Sequence, residues 1–232
     1  MTATRQQAAP GTLVARLGAG VAVLAALCYS SFLLSPLTRS GSARRGFISE
    51  LELAGQPWSW LYRLTDVLAG LAMLATAAAL WWLWARAHNH HGAKWACVLL
   101  ALAGLGSMVD GASSMQCEVT AASSCAVAST AGGLLGDLSA VHTDSGLAGL
   151  AGIAGGAVLL GLASGRRWPV FGKLSLGLGL CVAATGLLDL ALLLANADIG
   201  TVERVRTLLS SGWLLLIAGW LLSARPARTG ST

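Results

Sequence analysis

Charge is scarce in this chain. Only 11% of its 232 residues are Asp, Glu, Lys or Arg, against roughly a quarter in a soluble domain. That composition excludes a water-facing globule, and the length leaves no room for a soluble domain beside the apolar stretches. No basic helix and no aromatic-interleaved basic patch accompanies the net charge of +5, so nucleic acid is excluded as a partner. No CxxC pair occurs among the 5 cysteines, which removes the usual thiolate metal spacing. Acid is missing altogether from half of the connections between apolar stretches, and this last absence is the most informative.

What is present is apolar. Hydrophobic residues make up 55% of the chain, and they gather into six runs of bilayer-spanning length, for which about 20 residues suffice. The spans are read near 13–37, 58–85, 95–115, 138–164, 170–195 and 206–224. The first run is longer than the roughly 7–15 residues of a signal-peptide core, so it is read as a retained span. The connections alternate in charge. Arg5, Arg16, Arg86, Lys94, Arg166, Arg167, Lys173, Arg225 and Arg228 lie on one side with no acid, while all 10 acids fall on the other side or in the half of the bilayer facing it. Basic loops stay cytoplasmic. The fold class is therefore all-α: a six-transmembrane-helix bundle forming a single domain, with both termini cytoplasmic. Its expected place is a plasma membrane.

Two outer connections, 38–57 and 110–137, are long enough to carry structure. The first holds a candidate capping box, Ser49 to Glu52, and Pro57 suits the first turn of the second span. Trp58, Trp60 and Tyr62 suit an aromatic belt at that mouth, and Trp81, Trp82 and Trp84 the opposite belt. The second connection carries Cys117 and Cys125, for which a disulfide is expected outside the cytoplasm. Asp137 or Ser139 would cap the fourth span. Cys28, Cys97 and Cys181 read as small apolar fillers. Gly146, Gly149, Gly152 and Gly156 line one face of the fourth span, for packing inside the bundle or for docking a second copy or partner. His88, His90 and His91 sit in a basic inner loop with no acid to complete a metal shell, and read as a polar loop.

Charged groups inside spans are costly, so they pair or serve function. Arg63 and Asp66 lie one turn apart in the second span, Asp110 ends the third, His142, Asp144 and Ser145 open the fourth, Asp189 lies about two turns from the end of the fifth, and Glu203, Arg204 and Arg206 enter the sixth. His142 with a nearby carboxylate can act as general base, and Ser145, three residues on, shares its face. His142, Ser145, Asp66, Asp110 and Asp189 are thus the candidate catalytic residues. Arg63, Glu50, Glu203 and Arg204 are the candidate ligand-binding residues, the arginine fork suiting a phosphate. A divalent cation is a candidate cofactor on one His and three Asp. A three-His zinc site is not supported, since only His142 of the 4 histidines lies in the outer half. The alternative is purely structural: an Arg63–Asp66 pair within one helix, solvated helix ends and a surface Glu203–Arg204 pair.

The stretches ISELELAGQPWSWLYRLTDVLAG, DGASSMQCEV, VHTDSG and GTVERVRTLLSSGW occur in order along almost the whole chain. Together they resemble the bacterial membrane proteins catalogued as domain of unknown function nine-nine-eight. The resemblance implies six spans in a bacterial plasma membrane and carries no activity with it. The residues matching its pattern are Ser49, Glu50, Arg63, Asp66, Asp110, Cys117, Cys125, His142, Ser145, Glu203 and Arg204. Here GASSM follows Asp110 where many relatives have proline and leucine.

Three functions compete. The first is a protein that binds or processes a lipid headgroup in the outer half of the bundle, as a hydrolase or transferase if it is an enzyme. The second is a non-enzymatic accessory subunit or sensor. The third is a transporter of lipid or small solute, against which stand the lack of ionisable residues deeper than Asp66 and Asp189 and the lack of paired broken helices.

Overall fold

A computed structural model describes residues 10–38, 46–53, 55–85, 91–113, 138–195, 197 and 199–223. Seven α-helices follow one another among these residues: α1 Pro10–Tyr29, α2 Ser35–Thr38, α3 Ser59–Leu80, α4 His91–Ala112, α5 Leu138–Ser164, α6 Pro169–Leu194 and α7 Gly200–Ser223. All but α2 are long and apolar enough to cross a membrane. The protein is an all-helical, multi-pass membrane protein.

Each long helix packs on its neighbour in sequence, and α7 closes back on α1. The result is an up-and-down ring, with alternate helix ends gathered at two poles. One pole carries Lys94, Arg166, Arg167 and Lys173, and is called the basic end below. The other carries Asp66, Asp110, Asp189 and Glu203, and is called the acidic end.

Small residues make the ring tight. In lipid, helices gain little from apolar burial against one another and associate by close backbone contact. Alanines 19, 22, 25, 69, 72, 93, 96, 103 and 157 are buried along the seams. A Cβ on Gly104 would stand 2.7 Å from the Gly70 carbonyl oxygen, and one on Gly152 would stand 2.5 Å from that of Leu99. Only glycine fits at either crossing. The glycine face of α5 is thus taken up against α4 within the chain.

Several boundaries differ from the sequence reading. The first helix stops at Tyr29, not near residue 37, and passes through a 3₁₀ turn, Ser31–Leu34, into α2. Pro36 has no N–H to offer the Phe32 carbonyl, so an α ladder cannot run through. The third span starts earlier and ends sooner than 95–115, and the last starts at Gly200, well before 206. The expected capping box is not formed. Phe47 is the N-cap of a 3₁₀ helix, Ile48–Glu52, and no side chain caps it. Pro57 falls in the turn before α3, whose N-cap is Trp58 in the left-handed region at φ +66°.

The aromatic belts are also partly corrected. Trp58, Trp60, Trp81 and Trp82 are exposed, as interfacial anchors should be. Tyr62 is buried under Phe32 and Leu51, and Trp84 is buried in the main core. A π-helical turn, Trp81–Ala85, continues α3 at that point. Trp84, Trp168 and Trp220 then meet edge to face at 5.1–5.9 Å between centroids, and Phe171 stacks on Trp220 at 5.0 Å. Arg167 lies over the Trp168 ring at 4.9 Å. An aromatic plug fills the basic end.

Candidate functional site: a polar centre at the acidic end

The polar residues converge because six helix ends do. Asp66 is in the second turn of α3, Asp110 in the last turn of α4, His142 in the second turn of α5, Asp189 near the end of α6, and Glu203 and Arg206 in the first two turns of α7. At 1.5 Å of rise per residue, all lie within roughly 12 Å of the same pole. The Ile48–Glu52 turn covers them. Glu50 and Glu52 are both buried in it, held down by the packing of Leu51 on Phe32 and Tyr62.

Three arrangements make up the centre. In the first, His142 Nδ1 lies 2.7 Å from the Ser113 carbonyl oxygen and 3.0 Å from Asp110 Oδ1. Both neighbours are acceptors, so Nδ1 carries the hydrogen. In the neutral ring Nε2 is then the basic nitrogen. Ser145 Oγ donates to Asp110 Oδ1 at 3.1 Å and lies 2.8 Å from the His142 carbonyl. Its hydroxyl steadies the carboxylate that orients the imidazole. This is a positioning role, unlike the nucleophile–base contact expected of a catalytic serine.

In the second, the buried Glu52 carboxyl stands close enough to Asp66 for the two acids to act on each other. Like charges so placed disfavour ionisation of both. Burial, and then the Asp66 carboxylate, push the Glu52 carboxyl well above its ordinary 4.5, with Arg63 pulling the other way. Among the described residues, no conventional donor stands beside the buried Glu52 Oε2.

In the third, Arg206 bridges two acids. Its guanidinium lies 2.6 Å from Asp189 Oδ2 and 3.7 Å from Glu203 Oε1. Glu203 Oε2 accepts from the Ile48 amide at 2.7 Å, which ties the covering turn to α7. Arg204 adds a second tie, donating to the carbonyls of Gly46 at 3.1 Å and Gly200 at 2.7 Å. Tyr29, at the end of α1, stands in the field of Asp66, Asp110, Glu203 and Arg206.

These contacts revise the sequence reading. Arg63 does not form the intrahelical pair with Asp66. It donates to the Gly111 and Ala112 carbonyls, each at 3.0 Å, and so caps the C-terminal end of α4. Arg63 and Arg204 are engaged with carbonyls, which is unlike a free phosphate fork. Asp189 pairs with Arg206. Among the described residues, no group of three His, Cys, Asp or Glu side chains converges as a metal ion would need. Asp144 is exposed at the helix surface. Cys117, Cys125, Asp137, His88 and His90, and with them the expected disulfide, lie outside the described residues; so does the side chain of Ser139. Cys28 and Cys97 are buried as free thiols and Cys181 is exposed.

Two central residues are hard to find in the sequence. Glu52 sits in an apparent capping box, and nothing local marks its burial. Arg206 stands among the charges that enter the sixth span, and its spacing of three from Glu203, which puts both on one face of α7, is the signal that could find it.

Fold and centre together define a class: a six-span bundle with a buried polar centre at one pole and an aromatic plug at the other. The chain belongs to the family described as protein of unknown function, DUF998, whose model matches residues 11–220. No curated protein and no solved structure is similar to it at a significant level.

Proposed function

We propose that the protein binds a lipid headgroup at its acidic end, which faces the outside of a bacterial plasma membrane. The observation that carries this reading is the meeting, at a single pole, of an oriented histidine and buried carboxyls from the covering turn and the helix ends. Ionisable groups at this depth are retained where they handle a ligand or a proton. The helix-end position suits a headgroup whose chains stay in the surrounding lipid. If chemistry follows binding, His142 Nε2 is the candidate base, with Asp110 and Ser145 holding the ring. A hydrolase or transferase step would use it.

The competing readings have weaker support. The accessory-subunit reading draws on the outer connection 110–137, most of which lies outside the described residues, and on the glycine face of α5, where Gly152 and Gly156 pack against α4. For transport, the described interior toward the basic end offers hydroxyls such as Thr76 and Ser175, the latter bonded to the Ala157 carbonyl and to Trp213 Nε1.

Native mass spectrometry of wild type, His142→Ala and Asp66→Asn, released from membranes in mild detergent, tests the proposal. The expected result is a retained lipid on the wild type that is lost or reduced in both variants. A wild type free of lipid, or equal lipid on all three, would sink it.

A further inference from the structure

We propose that residues 46–53 form a lid over the polar centre, and that Asp189, in the α6 span, keeps it shut by holding Arg206 away from Glu203. The device does not depend on which ligand the centre takes. The lid is a small body of its own. Its 3₁₀ turn, Ile48–Glu52, packs on α3 and α7. Leu51 and Ile48 meet Phe32 and Tyr62 in a cluster apart from the main core, so the turn can rise without opening the bundle. Two ties hold it to α7. The Ile48 amide donates to Glu203 Oε2 at 2.7 Å, and Arg204 donates to the Gly46 carbonyl at 3.1 Å. The chain beyond the lid is built as a hinge, with Gly55 at φ +93° and Trp58 at φ +66°. A non-glycine residue in that region is strained, and the strain is released when the segment turns. Opening also returns the buried Glu50 and Glu52 to water, where carboxyls are better solvated.

Distances set the latch. Arg206 stands 2.6 Å from Asp189 Oδ2 but 3.7 Å from Glu203 Oε1. Attraction grows as separation falls, so the guanidinium is committed chiefly to Asp189. Glu203 is thereby left to accept from the Ile48 amide. Glu203 and Arg206 are three apart on one face of α7, so the guanidinium can close on the carboxylate within the helix. When Asp189 loses its charge or takes another partner, Arg206 moves onto Glu203. The carboxylate turns with it, the Ile48 bond is lost, and the lid is released. Asp189 is in this sense a positioning residue that acts on the lid through Arg206.

The test is hydrogen exchange of the full chain in mild detergent, read residue by residue by mass spectrometry. The reporters are the amides of Ile48, Glu50 and Leu53, which donate to Glu203 and to the Phe47 and Glu50 carbonyls. The Leu100 amide in α4 is the reference for global unfolding. Glu203→Met cuts the latch directly, and Asp189→Asn cuts it through Arg206. Each should speed the three reporters together by about tenfold or more, as loss of one charge-assisted bond allows, with Leu100 unchanged. Asp189→Asn serves if Glu203→Met fails to fold. In an Arg206→Met background Asp189→Asn should add nothing, because no guanidinium is left to move. Faster exchange at Ile48 alone would mean a lost hydrogen bond under a turn that stays down. That result overturns the proposal. So do reporters that rise only in step with Leu100, reporters unmoved by Asp189→Asn, or an Asp189→Asn effect that persists without Arg206.

Discussion

The two poles of the bundle are closed in opposite ways. At the basic end, Trp84, Trp168, Trp220 and Phe171 fill the ring with aromatic faces and edges. At the acidic end, the same ring of helices ends in carboxyls, an imidazole and guanidiniums. Among the described residues each pole buries polar atoms without a hydrogen-bond partner: Trp220 Nε1 at the basic end, and Glu52 Oε2 and Asp189 Oδ1 at the acidic end. The difference lies in charge: the basic end strands one neutral N–H among aromatic rings, whereas the acidic end buries carboxyls whose ionisation a bound group can change.

The largest expected effect lies at the aromatic pole. Trp220→Ala should destabilise the protein by about 3–5 kcal/mol through the cavity it leaves, with lipid retention at the acidic end unchanged in the molecules that remain folded. Thermal unfolding with native mass spectrometry reads both. A lost lipid would join the two poles and break the comparison.

Next is the Arg206 bridge. Arg206→Met strips the counter-charge from Asp189 and Glu203 and should cost about 3 kcal/mol. Adding Asp189→Asn and Glu203→Gln should recover most of it, because the loss is chiefly that of stranded acids. No recovery would mean that Arg206 acts by packing.

A smaller effect concerns pH. Glu52 binds its proton more tightly in the folded protein than at its ordinary 4.5 in the unfolded chain. Between those two values the folded state holds more protons, so stability falls as pH rises, by at most about 1.4 kcal/mol per unit. Glu52→Gln should flatten that fall, as unfolding curves across the pH series would reveal. An equally steep fall in the variant would assign it to other groups.

The smallest is Ser145→Ala, expected to cost about 1 kcal/mol for one lost hydrogen bond to Asp110. If His142 is the base, activity on an identified substrate falls while its pH profile shifts with the loosened carboxylate. Complete loss of activity in a folded variant would restore the serine as nucleophile.

The spans were legible because hydropathy over twenty residues is a summed property that survives local irregularity. The break after Tyr29 was not, since Phe32, Leu33, Leu34 and Leu37 prolong the apolar run beyond the helix. Asp66, Asp110, His142, Asp189 and Glu203 stood out as ionisable groups where lipid disfavours them. Their partners did not, because pairing is tertiary. Arg63 sits three residues from Asp66 yet reaches the carbonyls of another helix, and Glu52 finds its partner fourteen residues away. Trp84 looked like Trp81 and Trp82 until the π-helical turn carried it inward.

The most direct test of the account is an infrared pH titration of the purified protein, wild type beside Glu52→Gln and His142→Ala. The account requires a protonated-carboxyl band in the ligand-free wild type that persists well above the ordinary range for glutamate, disappears in Glu52→Gln and survives in His142→Ala. A wild type with every carboxyl ionised by neutral pH would contradict it, because burial of Glu52 would then not hold a proton on its carboxyl.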